Sequence, residues 1–248
     1  MAFPHFSVSR LRQWLDRSNE SDDHKELAFA SIDAFQHAIA SAAPSTESLR
    51  VITEAAMHSR SLTWDVGLQL LARLGEDSDE ARACIAKLAE SSKMEQRRRS
   101  IQYISDRYPR PFCVTLLSKL LSDRSAKVRG FAAYRMELLN LKELTPLLQD
   151  AIKLEGNDEA RFELEFALGL LRDNYYQCEN AGQYKLILRC DRQFPPYKVW
   201  PGQISGKPIT RASVEEHGIS IAFEEMRRST GYQTYSEMRR PWYTGTDG

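Results

Sequence analysis

The sequence is short of the features that would name an activity. Its four cysteines, Cys84, Cys113, Cys178 and Cys190, stand apart with no C-x-x-C pair. That excludes a zinc knuckle or a thioredoxin-type motif and makes reduced thiols the default. The five histidines, His5, His24, His37, His58 and His217, form no H-E-x-x-H and no regular pairing with cysteine, so no metal is expected. Asp33 with His37, and Glu215-Glu216-His217, are read as solvated surface, because spacing alone does not make acid and base converge in a pocket. No G-x-S-x-G elbow occurs and no cysteine has a nucleophile context, so no catalytic residue is nominated. Gly202 to Pro208 resembles a phosphate loop only until counted. Three residues rather than four separate its glycines, and Pro208 follows Lys207 where a serine or threonine would reach magnesium. No cofactor is expected.

Long apolar runs and net charge are missing as well. No segment approaches the roughly 18 apolar residues of a membrane span, and Met1 to Asp16 lacks a basic start followed by a continuous apolar stretch. The expectation is a cytoplasmic protein without membrane contact. The 34 basic and 34 acidic side chains cancel, and residues 1–48, 49–174 and 175–248 carry only −3, +1 and +2. Phosphate binding releases counterions in proportion to the cationic contacts and usually shows as a basic domain. Nucleic acid is therefore disfavoured as a partner.

What is present is a repeat of 32 residues. The step superposes Arg97, Arg129 and Arg161, then Ser100, Ala132 and Leu164, then Ile104, Met136 and Leu168, and earlier Leu88, Leu120 and Ile152. A period in this range marks a solenoid of helical hairpins. Apolar spacing predicts helices at about 46–58, 62–74, 79–90, 93–107, 111–122, 125–139, 142–154 and 158–173, which make four antiparallel pairs. Asp77 with Glu80, and Ser92 with Glu95, have the spacing of reciprocal caps, and Asn157 ahead of Asp158-Glu159 suits a helix start. Upstream, Ser7 is placed to cap a helix with Val8, Leu11, Trp14 and Leu15 on one stripe. A second pattern follows through Leu27, Ala28, Ile32, Phe35 and Ile39. Residues 1–44 are thus expected to be a helical cap for repeats spanning 45–174.

The segment from Leu116 to Leu139, with Asp123 in its turn and Val128-Arg129 opening an alanine-rich second helix, resembles a HEAT repeat. The segment Asn157 to Asp173 is similar, with Ala160-Arg161 in place of the valine-arginine pair. The resemblance covers residues 49–174 and departs from the pattern at Gln96-Arg97 and at Asp65, which stands where the first arginine would fall. It implies a mainly α protein, a short HEAT-like α-α superhelix, in which Arg97, Asp123, Arg129 and Arg161 form a structural ladder rather than an anion site. A family of alkylpurine DNA glycosylases is also built from HEAT-like repeats, with tryptophans and an aspartate in its groove. The adjacent Trp64-Asp65 does not reproduce that separated placement, and Trp64 is expected to pack between the cap and the first repeat.

From Tyr175 onward the period stops, and residues 175–248 hold half of the ten prolines and 11 of the 24 aromatics. Tyr184–Cys190 and Tyr197–Trp200 read as paired strands across the Phe194-Pro195-Pro196 turn, and Gly218–Phe223 as a third strand or a helix start. The expectation is a small mixed α/β appendage packed on the last repeat.

Stacked repeats present extended concave surfaces. Positions one, two, five and six residues after each repeat arginine flank the buried face, which nominates Arg98, Arg99, Gln102, Tyr103, Phe131, Tyr134, Arg135, Phe162 and Glu163 as partner-binding residues. Tyrosine and arginine are favoured interface anchors. The expected function is a non-enzymatic protein-protein interaction module, an adaptor or an immunity-type protein that masks one protein client. The alternative is a nucleic-acid-binding or DNA-repair protein on the same scaffold, using Arg97 to Arg99 and the Arg227-Arg228 and Arg239-Arg240 pairs.

Overall fold

The structure, a computed structural model, describes residues 7–19, 21–41, 43–180, 183–189, 197–200, 203–204, 207–208, 210–212 and 214. Among them the chain is mainly α: α1 (Val8–Arg17), α2 (Asp22–Ala40), α3 (Thr46–Met57), α4 (Ser61–Gly75), α5 (Asp79–Leu88), α6 (Met94–Arg99), α7 (Arg110–Leu121), α8 (Ala126–Leu138), α9 (Thr145–Leu154) and α10 (Asp158–Arg172). Short loops fold α3 on α4, α7 on α8 and α9 on α10. Neighbouring hairpins then meet first helix to first helix, as α3 with α5 and α7 with α9, and second to second, as α6 with α8 and α8 with α10. α2 covers both α3 and α4, and α1 lies on α2.

One apolar cluster runs from Leu15 and Ile32 through Ile52, Leu71 and Ile85 to Leu117, Met136 and Leu164. Each of these side chains is sealed from water, worth about 1.5–3 kcal/mol apiece. The 32-residue step is a step through this core: Leu88 and Leu120 are buried in consecutive first helices, and Ser100 at the end of α6, Ala132 in α8 and Leu164 in α10 are buried in turn. Trp64 is partly buried against the same cluster.

The helix expected at 93–107 is corrected: α6 ends at Arg99 and gives way to turns. The Ser100 hydroxyl donates to the Arg97 carbonyl and the Ser105 hydroxyl reaches Glu76. The ladder holds as far as the Ser100 N–H, which reaches the Gln96 carbonyl, and beyond it the chain turns so that Ile101, Ile104 and Tyr108 are taken into the core. Two caps are corrected as well. α5 is capped by Ser78, whose hydroxyl accepts the Ala81 N–H at 3.2 Å and itself donates to Glu80, not by Asp77. Ahead of α6 it is Ser91, not Ser92, whose side chain accepts a backbone N–H, and Glu95 turns to Arg98. Ser7 holds the N-cap position of α1 but its hydroxyl meets Ser9 instead. Asn157 caps α10 as expected, accepting from Ala160 N–H at 2.9 Å. α8 closes on Asn140 in the left-handed region (φ 53°), with Asn140 N–H on Glu137 O and Leu141 N–H on Met136 O, a Schellman end.

The stack stops for two visible reasons. Where α7 buries Leu117 and Leu121, the equivalent residues of α9 are the exposed Gln149 and Lys153, so the apolar bed that α7 gives its neighbour is not repeated at these positions. Beside α10, Asn174 (φ 63°) turns the chain into an antiparallel sheet of β1 (Tyr175–Asn180), β2 (Gln183–Arg189) and β3 (Tyr197–Trp200). β1 was not expected from the sequence; β2 and β3 were. Tyr176, Cys178 and Ile187 cover Phe166 and Leu170 of α10. Gly169 permits the approach, since a Cβ there would stand 2.9 Å from the Tyr175 carbonyl oxygen. β4 (Gln203–Ile204) and β5 (Lys207–Pro208) pair as a separate ladder in the former phosphate-loop segment. Cys190, the 218–223 element, the Glu215–His217 cluster and the 227–228 and 239–240 arginine pairs lie outside the described residues.

Candidate functional site

Arg97, Arg129 and Arg161 each occupy the fourth position of their helix, so the repeat delivers all three guanidiniums to the same edge of the stack. Each points back to a loop carbonyl six residues earlier: Arg97 to Ser91 at 3.0 Å, Arg129 to Asp123 at 2.7 Å, and Arg161 to Glu155. Two also reach the next hairpin. Arg97 grips Asp123 through two bonds of 2.7 and 2.9 Å, and Arg129 grips Glu155 through two of 2.7 Å. The same loop residue, Ser91, Asp123 or Glu155, accepts the N–H two positions ahead, at Lys93, Ser125 and Asn157. Burial raises the Asp123 carboxyl, but Arg97, the Ser125 N–H and Arg124 outweigh it and hold it below its ordinary value. Arg129 does the same for Glu155, against a smaller burial effect. The guanidiniums of Arg97 and Arg129 are thus spoken for within the fold.

The ladder explains the departures at its N-terminal end. Asp65 replaces the arginine of the earlier hairpin, and Ser91 replaces the acid such an arginine would have gripped. Asp65 turns instead to the Tyr103 hydroxyl and to Gln69. Burial raises its carboxyl, with Tyr103, Gln69 and Arg99 opposing. Arg99 lies over the Trp64 ring at 4.1 Å and donates to the His58 carbonyl. Gln102 donates to the Tyr103 oxygen. Arg99, Gln102 and Tyr103 are therefore half-buried and lock α6 to α4, with little left for an incoming molecule.

The remaining nominated residues separate. Arg135 is corrected: it is 5% exposed and donates to the Ile104 carbonyl. Its position six after Arg129 turns inward, and burial draws its guanidinium down to about 10. Arg98, Phe131, Tyr134 and Glu163 do share one surface, an open groove of about 390 Å³ between α8 and α10 that Gly130, Lys127 and Glu159 also line. Phe131 and Tyr134 stack at 6.0 Å, and Arg98 sits over Phe131 at 5.4 Å while bonded to Glu95. Burial and the neighbouring Glu159 raise the Glu163 carboxyl. Phe162 lies outside the groove, 44% exposed at the edge of the appendage, where it meets Tyr176 edge-on. No protein-family model matches the chain, and no curated protein matches it.

Sequence reasoning missed Glu155, although it lies one 32-residue step beyond Asp123 and extending the repeat would have found it. Of the other groove residues, Gly130 directly follows Arg129, and Lys127 and Glu159 lie one 32-residue step apart, so the repeat register, followed further, would have found them. Among the described residues no group of three or more His, Cys, Asp or Glu side chains gathers as a metal site, and no helix is long and apolar enough to cross a membrane. Cys84, Cys113 and Cys178 are free thiols, and burial pushes Cys113 up to about 11.

Proposed function

We propose that this chain is a non-enzymatic protein-binding module, a cytoplasmic adaptor or an immunity-type protein with one dedicated client, and that the client docks across the second helices of a HEAT-like stack. The α8–α10 groove carries this reading. It joins a stacked aromatic pair to side chains of both charges, the composition of an interface anchor rather than of a phosphate channel. Glu159 and Glu163 repel a nucleic-acid backbone, while Arg98 and Arg99 are already engaged by Glu95, Phe131, Trp64 and His58.

The test is affinity capture from the native host with the wild type and a Phe131→Ala, Tyr134→Ala variant as baits. A single protein retained by the wild type, lost by the variant and holding its affinity from 50 to 200 mM salt supports the reading; those salt limits are about the range over which phosphate contacts weaken steeply. Recovery of nucleic acid, with steep salt dependence and no protein, contradicts it.

A further inference from the structure

The repeat step places Arg99, Phe131 and Glu163 at equivalent positions on α6, α8 and α10. The first is matched by Trp64 and a carbonyl, the second by Arg98 and Tyr134. Among the described residues Glu163 takes no hydrogen bond or ion pair, Lys127 of the same groove included; it is half-buried, and its electrostatic neighbour is another acid, Glu159, one turn earlier. Its chain passes over Gly130, where a Cβ would lie 3.4 and 3.5 Å from its Cβ and Cγ. A carboxylate held this way in a groove of about 390 Å³ is costly until a cation joins it. Arg98 and Lys127 line the same groove, yet Arg98 is tied to Glu95.

We propose that the groove seats an arginine side chain of the client beside the Phe131–Tyr134 pair, its guanidinium paired with Glu163, with Glu159 as the second carboxylate. The inference rests on the protein-docking reading above and names what the client must present. Arginine fits better than lysine because its planar fork matches a carboxylate in two bonds and stacks on aromatic faces. Arg98 over Phe131 shows the same chemistry within the chain. The two carboxylates oppose an acidic client residue beside Glu163, although Arg98 and Lys127 line the same groove.

The probe is acetyl-arginine-amide, titrated into the full chain and read by amide shifts of Gly130, Phe131 and Glu163. Acetyl-lysine-amide and acetyl-citrulline-amide serve as comparisons. Saturable shifts at these residues are expected for the arginine probe, roughly tenfold weaker binding for lysine and for Glu163→Gln, and none for the uncharged citrulline. Equal binding of citrulline, or unchanged binding by Glu163→Gln, overturns the proposal. So does the absence of saturable shifts with the arginine probe. Glu163→Gln removes an unmatched charge and is expected to fold at least as well as the wild type, so a lost signal is not a lost fold. If Glu163→Gln still captures the client that Phe131→Ala, Tyr134→Ala loses, the docking reading stands and the arginine seat falls.

Discussion

Glu155 and Glu163 lie eight residues apart on either side of the start of α10, and the fold treats them in opposite ways. Glu155 is at the turn edge of the stack, its carboxylate sealed and held by Arg129 in two bonds, with its pKa lowered. Glu163 is at the groove edge, half-buried with no ion pair among the described residues, with its pKa raised. The turn edge uses charge to fasten one hairpin to the next, so every acid in it has its base. The groove edge keeps a charge unmatched, at a cost to the isolated chain, which is the usual mark of a surface shaped for something else.

The comparison breaks first at the ladder. Asp123→Ala leaves the Arg97 guanidinium buried without its acid and should destabilise the chain by about 3–5 kcal/mol, read as a lower urea midpoint. A loss below about 1 kcal/mol would mean that the pair is no better than an exposed one.

The pH dependence sharpens the same contrast. The folded-state pKa values of Asp123 and Glu155 lie below their unfolded values. Their contribution is therefore complete above the ordinary carboxyl range of about 4 and is lost as pH falls through the depressed values. Glu163 runs the other way. Its raised pKa means that the folded chain binds the extra proton, so its destabilising effect is present above the raised value and is relieved as pH falls. Acid unfolding of Glu163→Gln should begin at a slightly higher pH relative to its own plateau than in the wild type, because this relief is gone; identical profiles would remove the groove charge from the account.

A smaller effect is expected from Arg161→Ala. This last arginine is exposed and, among the described residues, keeps only its bonds to the Glu155 carbonyl, since no further hairpin brings it an acid. The loss should be about 1 kcal/mol, and a loss equal to that of Asp123→Ala would show a third full rung.

The stacking of the hairpins was legible in the sequence because packing repeats with the chain: Leu120, Ala132, Met136 and Arg129 recur at one step, and each recurrence is a place in the core or on the ladder. The end of α6 was not legible. Its decision lies in Ser105 reaching Glu76 and in Tyr108 reaching the Ala72 carbonyl, contacts that no local pattern records. β1 was missed for a similar reason, since Tyr176 and Cys178 become a strand face only against Phe166 and Leu170. Of the candidate site, the aromatic and charged residues could be named from helical spacing, but spacing alone did not separate Arg135, which turns inward, from Tyr134 beside it. The groove itself lies where α8 and α10 meet, with Glu163 of α10 passing over Gly130, a juxtaposition that only the packed structure displays.

The most direct measurement is chemical unfolding of Glu155→Gln beside Glu163→Gln at neutral pH. The same substitution at two carboxylates of one helix entrance should have opposite consequences: Glu155→Gln loses about 3 kcal/mol or more as the Arg129 pair is broken, while Glu163→Gln is unchanged or gains a few tenths of a kcal/mol. Comparable losses at both positions would show that Glu163 is a structural residue like its neighbour, and would contradict the division of the second helices into a fastening edge and a docking edge.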